Sequence, residues 1–439
     1  MDYFQTFSPT AKLKSMRTLL SIAAVRDYEA VHFDVSTAFL NGTLDEEVYM
    51  DQPEGFETGT DDVCHLRKTL YGLKQSPREW YKELKHTFST LGLYPSKNDA
   101  SVFIADKKRK FYVGVYVDDM LIITPSKDKV AEFYDKINSI YTVKNLGPVE
   151  KLLGIRVRQD RKLRKMWLDQ ETYARNIVKT YNLDILGKRS VPVSSLTKLQ
   201  ENALNDPEIP PGTPYQQLIG SLMYLAQGTR PDIAFAVGLV SRYLVNPRES
   251  HWKITQQIGE YVASTLDYCI VYSGRDHDET LVGYADADWA NDVDTRRSVS
   301  GFVFLLGGGA ISWHSKRQQL VAWSTTEAEY ISASEAAAEA IWLRGLLEEI
   351  DCTQGAATTI YEDSQGARYL AENDRDHSRT KHMDVRHHFL HERVKMEQVW
   401  LAVCRSTEMA ADALTKATGR DKFAQCRQMF RLCQWVEVL

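Results

Sequence analysis

Six cysteines in 439 residues, none of them in a C-x-x-C pair, indicate neither a zinc site nor a disulfide framework. Cys64, Cys269, Cys352, Cys404, Cys426 and Cys433 are scattered along the chain, which fits reduced thiols and an intracellular protein. No apolar run approaches the roughly 18 residues of a membrane span, and the N-terminal MDYFQTFSPTAKLK lacks the apolar core of a secretory signal. Charge of one sign is also missing. With a net charge of -5, any affinity for nucleic acid must come from local basic patches rather than from the whole field. Internal repeats are absent, and no low-complexity segment stands out beyond one alanine-rich stretch. What remains is an ordinary soluble composition, 43% apolar and 26% charged, on a chain long enough for two or three domains.

Within that composition one stretch is unusual. Lys110 to Thr124 reads KFYVGVYVDDMLIIT. Phe111, Val113, Val115 and Val117 alternate with Tyr112, Gly114 and Tyr116, and Leu121, Ile122 and Ile123 then resume the apolar pattern. This predicts a β-hairpin with Asp118 and Asp119 at its turn. An acidic turn needs no function by itself. It becomes informative if a third carboxylate can meet it, and Asp34, at the end of the predicted strand AVHFDV, is the candidate. Three crowded carboxylates repel one another unless a cation sits among them. Magnesium, with its preference for hard oxygen ligands, suits such a place. Two such ions roughly 3.5–4 Å apart can activate a 3′-hydroxyl and stabilise a leaving pyrophosphate.

Elsewhere the chain reads as α+β. SPREWYKELKHTFSTLG predicts a helix, with Ser76 as cap, Pro77 in the first turn, Glu79 completing a capping box and Gly92 as the stop. The basic run RVRQDRKLRK follows from Arg156 to Lys165, and DKKRK, from Asp106 to Lys110, reads as a polar hairpin tip. From about Trp167 to Tyr272 the pattern is mostly helical, broken by the loop SSLTKLQENALNDPEIPPGTP. YSGRDHDETL marks a boundary, after which the pattern restarts as strand, strand, helix, strand, helix. GFVFLLGGGAISWHS is a hairpin around Gly307, Gly308 and Gly309, TTEAEYISASEAAAEAIWLRGLLEEI a strong helix, and TTIYEDS a strand ending in Asp363.

FDVSTAFLNGTLDEEVYMDQPEGF, LRKTLYGLKQSPREWY and YVDDMLI, in that order and spacing, resemble the reverse transcriptase of copia-type LTR retrotransposons. The resemblance continues through LGPVEKLLGI, LIGSLMYLAQGTRPDI, ADADWA, STTEAEY and TKHMDVRHHF, and so covers nearly the whole chain. It implies a right-hand polymerase palm with partial fingers over residues 1–158 and a mostly helical thumb or connection over 159–275. A ribonuclease H-like domain over 276–420 and a tail over 421–439 complete it. Asp34, Asp118 and Asp119, with the backbone carbonyl of Val35, would form the palm's metal site. Phe39 matches the aromatic position under the incoming sugar, where a ring leaves no room for a 2′-hydroxyl. Tyr71, Gly72, Lys74 and Ser76 lie in the segment that flanks the nascent base pair and template; close backbone approach would explain Gly72. KLLGI, with Leu153 and Gly154, resembles the primer grip. Lys144 is a candidate for protonating pyrophosphate, beside its plainer reading as a surface lysine. Arg156, Arg158, Arg161, Lys162, Arg164 and Lys165 suit template–primer phosphates, or else a solvated face.

The C-terminal part repeats the logic. Asp286 at a strand end, Glu329 on the long helix, Asp363 at a later strand end and Asp412 on a final helix resemble, in that order, the Asp, Glu, Asp, Asp set of ribonuclease H. Four carboxylates holding two ions would hydrolyse the RNA strand of an RNA–DNA hybrid. Rival motifs fail. DADWANDVDTRR has Asn291 and Arg297 where a calcium loop needs Gly and Glu, and HHFLHERVK is not H-E-x-x-H. His387, His388 and His391 share a helix without a zinc pattern, and His382, in KHMD, has no assigned role. CRSTEMAAD lacks the mobile histidine that many ribonucleases H carry before the last Asp.

The expectation is therefore an RNA-directed DNA polymerase with ribonuclease H activity, using Mg²⁺ or Mn²⁺, two per site. Its partners would be RNA template, DNA primer, RNA–DNA hybrid, deoxynucleotides and the integrase and protease regions of one polyprotein. Its place would be the cytoplasm, in a virus-like particle with access to the nucleus. The family carries a basic fingers hairpin before DYFQTFSP, whereas this chain begins with Met1 at that junction. The resemblance then implies either a truncated N-terminus or an element that has lost its fingers, and leaves the triphosphate charge to the metals alone. Two alternatives stand beside it, a silent nucleic-acid-binding remnant and a ribonuclease H with the polymerase half as scaffold.

Overall fold

A computed structural model describes residues 6–105, 109–184, 187–194, 197, 199–201, 205–372 and 384–435. The chain forms two compact units. One comprises Met1–Ala23, Tyr28–Leu152 and Leu346–Cys352, the other Ala24–Asp27, Leu153–Gly345 and Thr353–Leu439.

In the first unit, helix α1 (Leu13–Arg26) leads into β1 (Glu29–Val35), and a two-stranded sheet of β2 (Thr43–Met50) and β3 (Cys64–Lys68) follows. Helix α2 (Ser76–Thr90), β4 (Leu93–Pro95), β5 (Val102–Ala105), β6 (Tyr112–Tyr116), β7 (Asp119–Thr124), α3 (Lys127–Asn138), β8 (Val143–Pro148) and the short β9 (Lys151–Leu152) complete it. Six strands pair in the order β4-β5-β6-β7-β1-β8, so the acidic hairpin β6–β7 lies beside β1 in mid-sheet. Alternation seats the sheet: Phe33, Val113, Val115, Met120 and Ile122 enter one core with Trp80, Leu84 and Phe88 of α2 and Val130, Phe133 and Ile137 of α3. The last three recur at helical spacing, one apolar stripe on a helix otherwise charged. Phe33, fully buried, packs on Phe133 and Tyr134 and contributes roughly 1.5–3 kcal/mol.

Helix α2 covers the predicted span but is capped differently. Its N-cap is Gln75, without a side-chain bond; Ser76 Oγ donates instead to Leu70 O at 2.5 Å, and Glu79 is buried against Arg78 and Lys82. The capping box is not formed, because the backbone reaches helical angles one residue earlier than the Ser-x-x-Glu spacing assumes.

The second unit is less helical at its start than the sequence suggested. Trp167 and Tyr272 lie on strands: β10 (Ile155–Asp160), β11 (Lys165–Asp169), β12 (Tyr268–Ser273) and, from the far end of the chain, β18 (Leu432–Gln434) form antiparallel neighbours. Between β11 and β12 come α4 (Glu171–Thr180), α5 (Tyr215–Gly228), α6 (Ala234–Val240) and α7 (Glu249–Ala263). Arg230 is buried here, donating to both oxygens of Asp232 at 2.9 Å and to Thr265, while Tyr261 donates to Asp232 at 2.6 Å.

A second sheet follows, with β13 (Val282–Asp288), β14 (Val299–Leu306), β15 (Gly309–Arg317), β16 (Thr358–Glu362) and β17 (Val399–Val403) in the order β15-β14-β13-β16-β17. The first three strands run as an antiparallel meander, and β16 and β17 add in parallel. The β14–β15 turn is built on Gly307 and Gly308, both at positive φ. Helix α8 (Thr325–Glu349) lies between β15 and β16 in the chain; Ala328, Ala333, Ala336, Ala337 and Ala340 are wholly buried. Helices α9 (Gln365–Glu372), α10 (Asp384–Lys395), the single turn α11 (Asp412–Thr415) and α12 (Arg420–Met429) complete the unit. Asp412 thus begins a one-turn helix, not the final one. Among the described residues no helix is long and apolar enough to cross a membrane.

Candidate active sites

The first cluster is set by strand register. Asp34 on β1 is directly opposite Asp119 on β7, and on its other side directly opposite Lys144 on β8. Directly opposed residues share a face. The hairpin turn is Val117–Asp118, so Asp118 sits in it while Asp119 already opens β7; the acidic pair is split between turn and strand. Val117 has φ 59 and Thr37, just past β1, φ 56, a region that β-branched residues avoid. Strain of this kind persists only where surroundings impose it. Here the Val117 carbonyl accepts from the buried Trp80 indole at 2.8 Å, and the Asp118 carbonyl accepts from the Val35 amide at 2.9 Å. Burial, then the neighbouring Asp119 and Asp34, raise the Asp118 carboxyl above its usual range.

His32, two residues before Asp34 and so on the same face, places Nε2 2.6 Å from Asp119 Oδ1. Sequence reasoning passed over it. The period-two spacing from Asp34 was the available signal.

Around this cluster, Phe39 lies in a single helical turn and packs on Tyr71 with ring centroids 4.8 Å apart. Gly72 has no protein atom within 4 Å of where a Cβ would stand, and its φ of 101 already favours glycine. Lys74 lies in the same loop, and Ser76 begins α2. Leu153 and Gly154 belong to the second unit, at positive φ before β10, with the Tyr224 hydroxyl donating to Leu153 O.

The basic run is largely committed within the protein. Arg156 pairs with Asp169 and Glu171, Arg158 with Asp169 at 2.9 Å, and Arg161 with Asp27 at 2.8 Å, while Arg164 donates to Val25 O. Lys162 is exposed. The run, open to either reading in sequence, thus engages Asp169 and Glu171 close by in the chain and Asp27 and Val25 far from it.

The second cluster is built in the C-terminal sheet. Asp286 on β13, Glu329 on α8 and Asp363 after β16 bring carboxylate oxygens within 4.8 Å of one another. Asp286 is 1% exposed; its Oδ2 accepts from the Thr415 hydroxyl and its Oδ1 has no hydrogen-bond partner. The Ala287 amide donates to Glu329 Oε2 at 2.8 Å, and Ser406 Oγ to Asp363 Oδ2 at 3.1 Å. Burial and mutual repulsion raise the carboxyls of Asp286 and Glu329. Asp412 joins through lysines: Lys416 Nζ is 2.7 Å from Asp412 Oδ1 and 3.4 Å from Asp286 Oδ2, and Lys422 Nζ is 2.9 Å from Asp412 Oδ2.

Glu362 was also missed. It is 1% exposed, neither carboxylate oxygen has a hydrogen-bond partner, and burial with Asp363 nearby pushes it up to about 8. Its neighbour Asp363 drew the attention; the alternation of β16, which turns Thr358, Ile360 and Glu362 inward together, was the overlooked signal. Lys416 was legible as the i+4 partner of Asp412. Orphaned buried oxygens beside three converging carboxylates are what a hard divalent cation would satisfy, so the residues fit such an ion.

Of the histidines, His391 Nδ1 is 2.9 Å from Ala371 O and His388 is exposed on α10. His387 lies in the same helix, and His382 falls outside the described residues.

Comparisons with known proteins add to this geometry. The profile of the family described as "Reverse transcriptase (RNA-dependent DNA polymerase)" matches residues 1–195. The Retrovirus-related Pol polyprotein from transposon TNT 1-94 of Nicotiana tabacum is 40% identical over 437 residues, 98% of this chain and 33% of that protein. A putative transposon Ty5-1 protein of Saccharomyces cerevisiae is 32% identical over 310 residues, 70% of this chain and 99% of that protein. Among solved structures, a foamy viral protease-reverse transcriptase in complex with RNA/DNA hybrid matches at 14% identity and a TM-score of 0.47, covering 92% of this chain and 46% of that one. The chain spans about a third of the length of the first curated relatives.

Proposed function

Since the chain belongs to the reverse transcriptase family of retrotransposon Pol proteins, we propose that it copies RNA into DNA at the Asp34–Asp118–Asp119 cluster and hydrolyses the RNA of the resulting hybrid at the Asp286–Glu329–Asp363–Asp412 cluster. The observation that carries this reading is the assembly of two separate carboxylate clusters, one in each unit, from residues far apart in sequence. Mg²⁺ or Mn²⁺ ions bound there would lower the pKa of a 3′-hydroxyl or a water and offset charge on the phosphate under attack.

At the first cluster, the opposed carboxylates of Asp34 and Asp119 and the turn-held Asp118 would hold the ions, with the Val35 carbonyl as a further ligand. Trp80 and the Val35 amide keep the turn in its strained form, so Asp118 need not reorganise when substrate arrives. His32 fixes Asp119 from the side. Phe39, backed by Tyr71, presents a ring to the sugar. At the second cluster, Ala287 and Ser406 orient Glu329 and Asp363 toward Asp286. RNA template, DNA primer and deoxynucleotides are the substrates of the first site and an RNA–DNA hybrid that of the second.

A narrower reading, hydrolysis with the polymerase half as scaffold, draws support from the unpartnered buried oxygen of Asp286 in the second cluster and those of Glu362, the neighbour of Asp363. Primer extension on an RNA template and cleavage of an end-labelled hybrid, each with Mg²⁺ and with Mn²⁺, test both. Extension and cleavage together support the full reading. Cleavage alone leaves the narrower one, and neither reaction in either metal overturns both.

A further inference from the structure

We propose that the Lys416 ammonium occupies the Asp286–Asp412 side of the second cluster in the free protein, so that one divalent cation binds alone on the Asp286–Glu329–Asp363 side. This rests on the hydrolytic reading above and concerns how many ions the site holds before substrate arrives.

The carboxylates of the cluster are not equally provided for. Both oxygens of Asp412 face ammonium groups, Oδ1 that of Lys416 at 2.7 Å and Oδ2 that of Lys422 at 2.9 Å. Lys416 also reaches Asp286 Oδ2 at 3.4 Å, so it bridges the two carboxylates that a second ion on that side would share. Two anions there meet two cations. The other side is less compensated, because Lys416 and Arg368 act on Glu329 and Glu362 only from beyond ion-pair distance. Asp286 Oδ1 and both Glu362 oxygens are buried without hydrogen-bond partners; Asp412 Oδ1 also lacks one but has the Lys416 ammonium 2.7 Å away. Among the described residues no lysine, arginine or histidine pairs with Glu329, Asp363 or Glu362. A divalent ion arriving first therefore gains most on the less compensated side, where it relieves both repulsion and unmet solvation.

An ion on the Lys416 side must instead displace a charge already paired with two carboxylates, and the two like charges repel at close range. Lys416 can yield. Its side chain is 36% exposed, and it follows the one-turn α11 on a flexible four-carbon stem. A phosphate entering between the clustered carboxylates and solvent gives the ammonium a new partner and frees Asp286 and Asp412 for the second ion. Lys416 is thus a positioning residue that reserves a metal position until nucleic acid is present. Lys422 touches Asp412 but not Asp286 and cannot reserve that place.

The test counts bound Mn²⁺ by electron paramagnetic resonance, in the full chain carrying Asp34→Asn and Asp118→Asn so that the first cluster contributes no ion. With Lys416 present the expected count is one tightly held ion. Lys416→Met, or Lys416→Gln should the first variant fold poorly, raises it to two; Lys422→Met leaves it at one; adding Glu329→Gln lowers it at least ten-fold in affinity. Two equivalent ions with Lys416 in place overturn the proposal while leaving the hydrolytic site intact, and so does a count of one that both Lys416 variants leave unchanged. No bound ion in any of these proteins overturns the metal reading of the site itself.

Discussion

Asp34 and Asp119 stand directly opposite one another on adjacent antiparallel strands. Like charges so placed destabilise a sheet unless something positive offsets them. Lys144, across from Asp34, supplies part of that offset, and His32 makes a hydrogen bond with Asp119. The C-terminal cluster follows the same pattern with Lys416 and Lys422. In both places the protein gathers more negative charge than its own cations neutralise.

The two clusters lie in different units, so their chemistry separates by mutation. Asp118→Asn removes one carboxylate without changing side-chain volume and lowers primer extension by about a thousand-fold or more, the scale of lost charge stabilisation at a preorganised site. Hybrid cleavage stays within about two-fold. Asp286→Asn does the converse. Extension and cleavage rates measured on both variants, with circular dichroism to establish folding, give the answer; cleavage surviving in Asp286→Asn removes the hydrolytic site from the account.

Phe39, partly buried against the core, packs on Tyr71, which is 55% exposed, so the aromatic pair runs from the core edge to solvent. If that ring excludes a 2′-hydroxyl, Phe39→Ala opens space for it. Competing deoxy- and ribonucleotides in a primer-extension assay then show discrimination falling by roughly ten-fold or more, the range a single steric contact supplies. A variant that loses activity toward both nucleotides equally assigns Phe39 to packing instead.

Much of this was legible in the sequence because period-two alternation and strand-end aspartates are local signals. Asp34, Asp118, Asp286 and Asp363 were found that way. The split of Asp118 and Asp119 between turn and strand was not, since the alternation ends at Val117 and does not say which side of the turn takes the extra residue. The partners of the basic run were hidden for a different reason: Arg161 and Arg164 bond Asp27 and Val25, more than 130 positions earlier, and no local pattern announces such partners. Glu362 and Lys416 are side chains whose meaning depends wholly on what the fold places beside them.

The Arg230–Asp232–Tyr261 network looks like chemistry, but every member is buried and mutually bonded. We expect a structural role. Arg230→Met strands the Asp232 carboxylate in the interior and costs about 3–5 kcal/mol; Tyr261→Phe removes a single hydrogen bond to a charged group and costs about 1.5–3 kcal/mol. Denaturant unfolding reads both. Full stability with lost hybrid cleavage in either variant would falsify this assignment.

Glu362 gives the sharpest dependence on pH. Its carboxyl is pushed from an ordinary 4.5 up to about 8 by burial first and by Asp363 second. A group whose folded pKa is raised favours folding while it is protonated, so its contribution is complete below about 4.5 and declines as pH rises toward 8. In chelator, the protein therefore loses stability over that window, by an amount on the order of 3–5 kcal/mol from this residue alone. Glu362→Gln keeps the shape and removes the titration. Its melting temperature should match that of the unaltered chain near pH 4.5 and exceed it by roughly 10 °C at pH 8. Magnesium narrows the gap, because an ion beside Asp363 stabilises the ionised carboxylate in the unaltered chain. Parallel melting curves for the two proteins from pH 4.5 to 8 place Glu362 in contact with water or a cation of the protein, and remove it from the charge imbalance on which the second cluster depends.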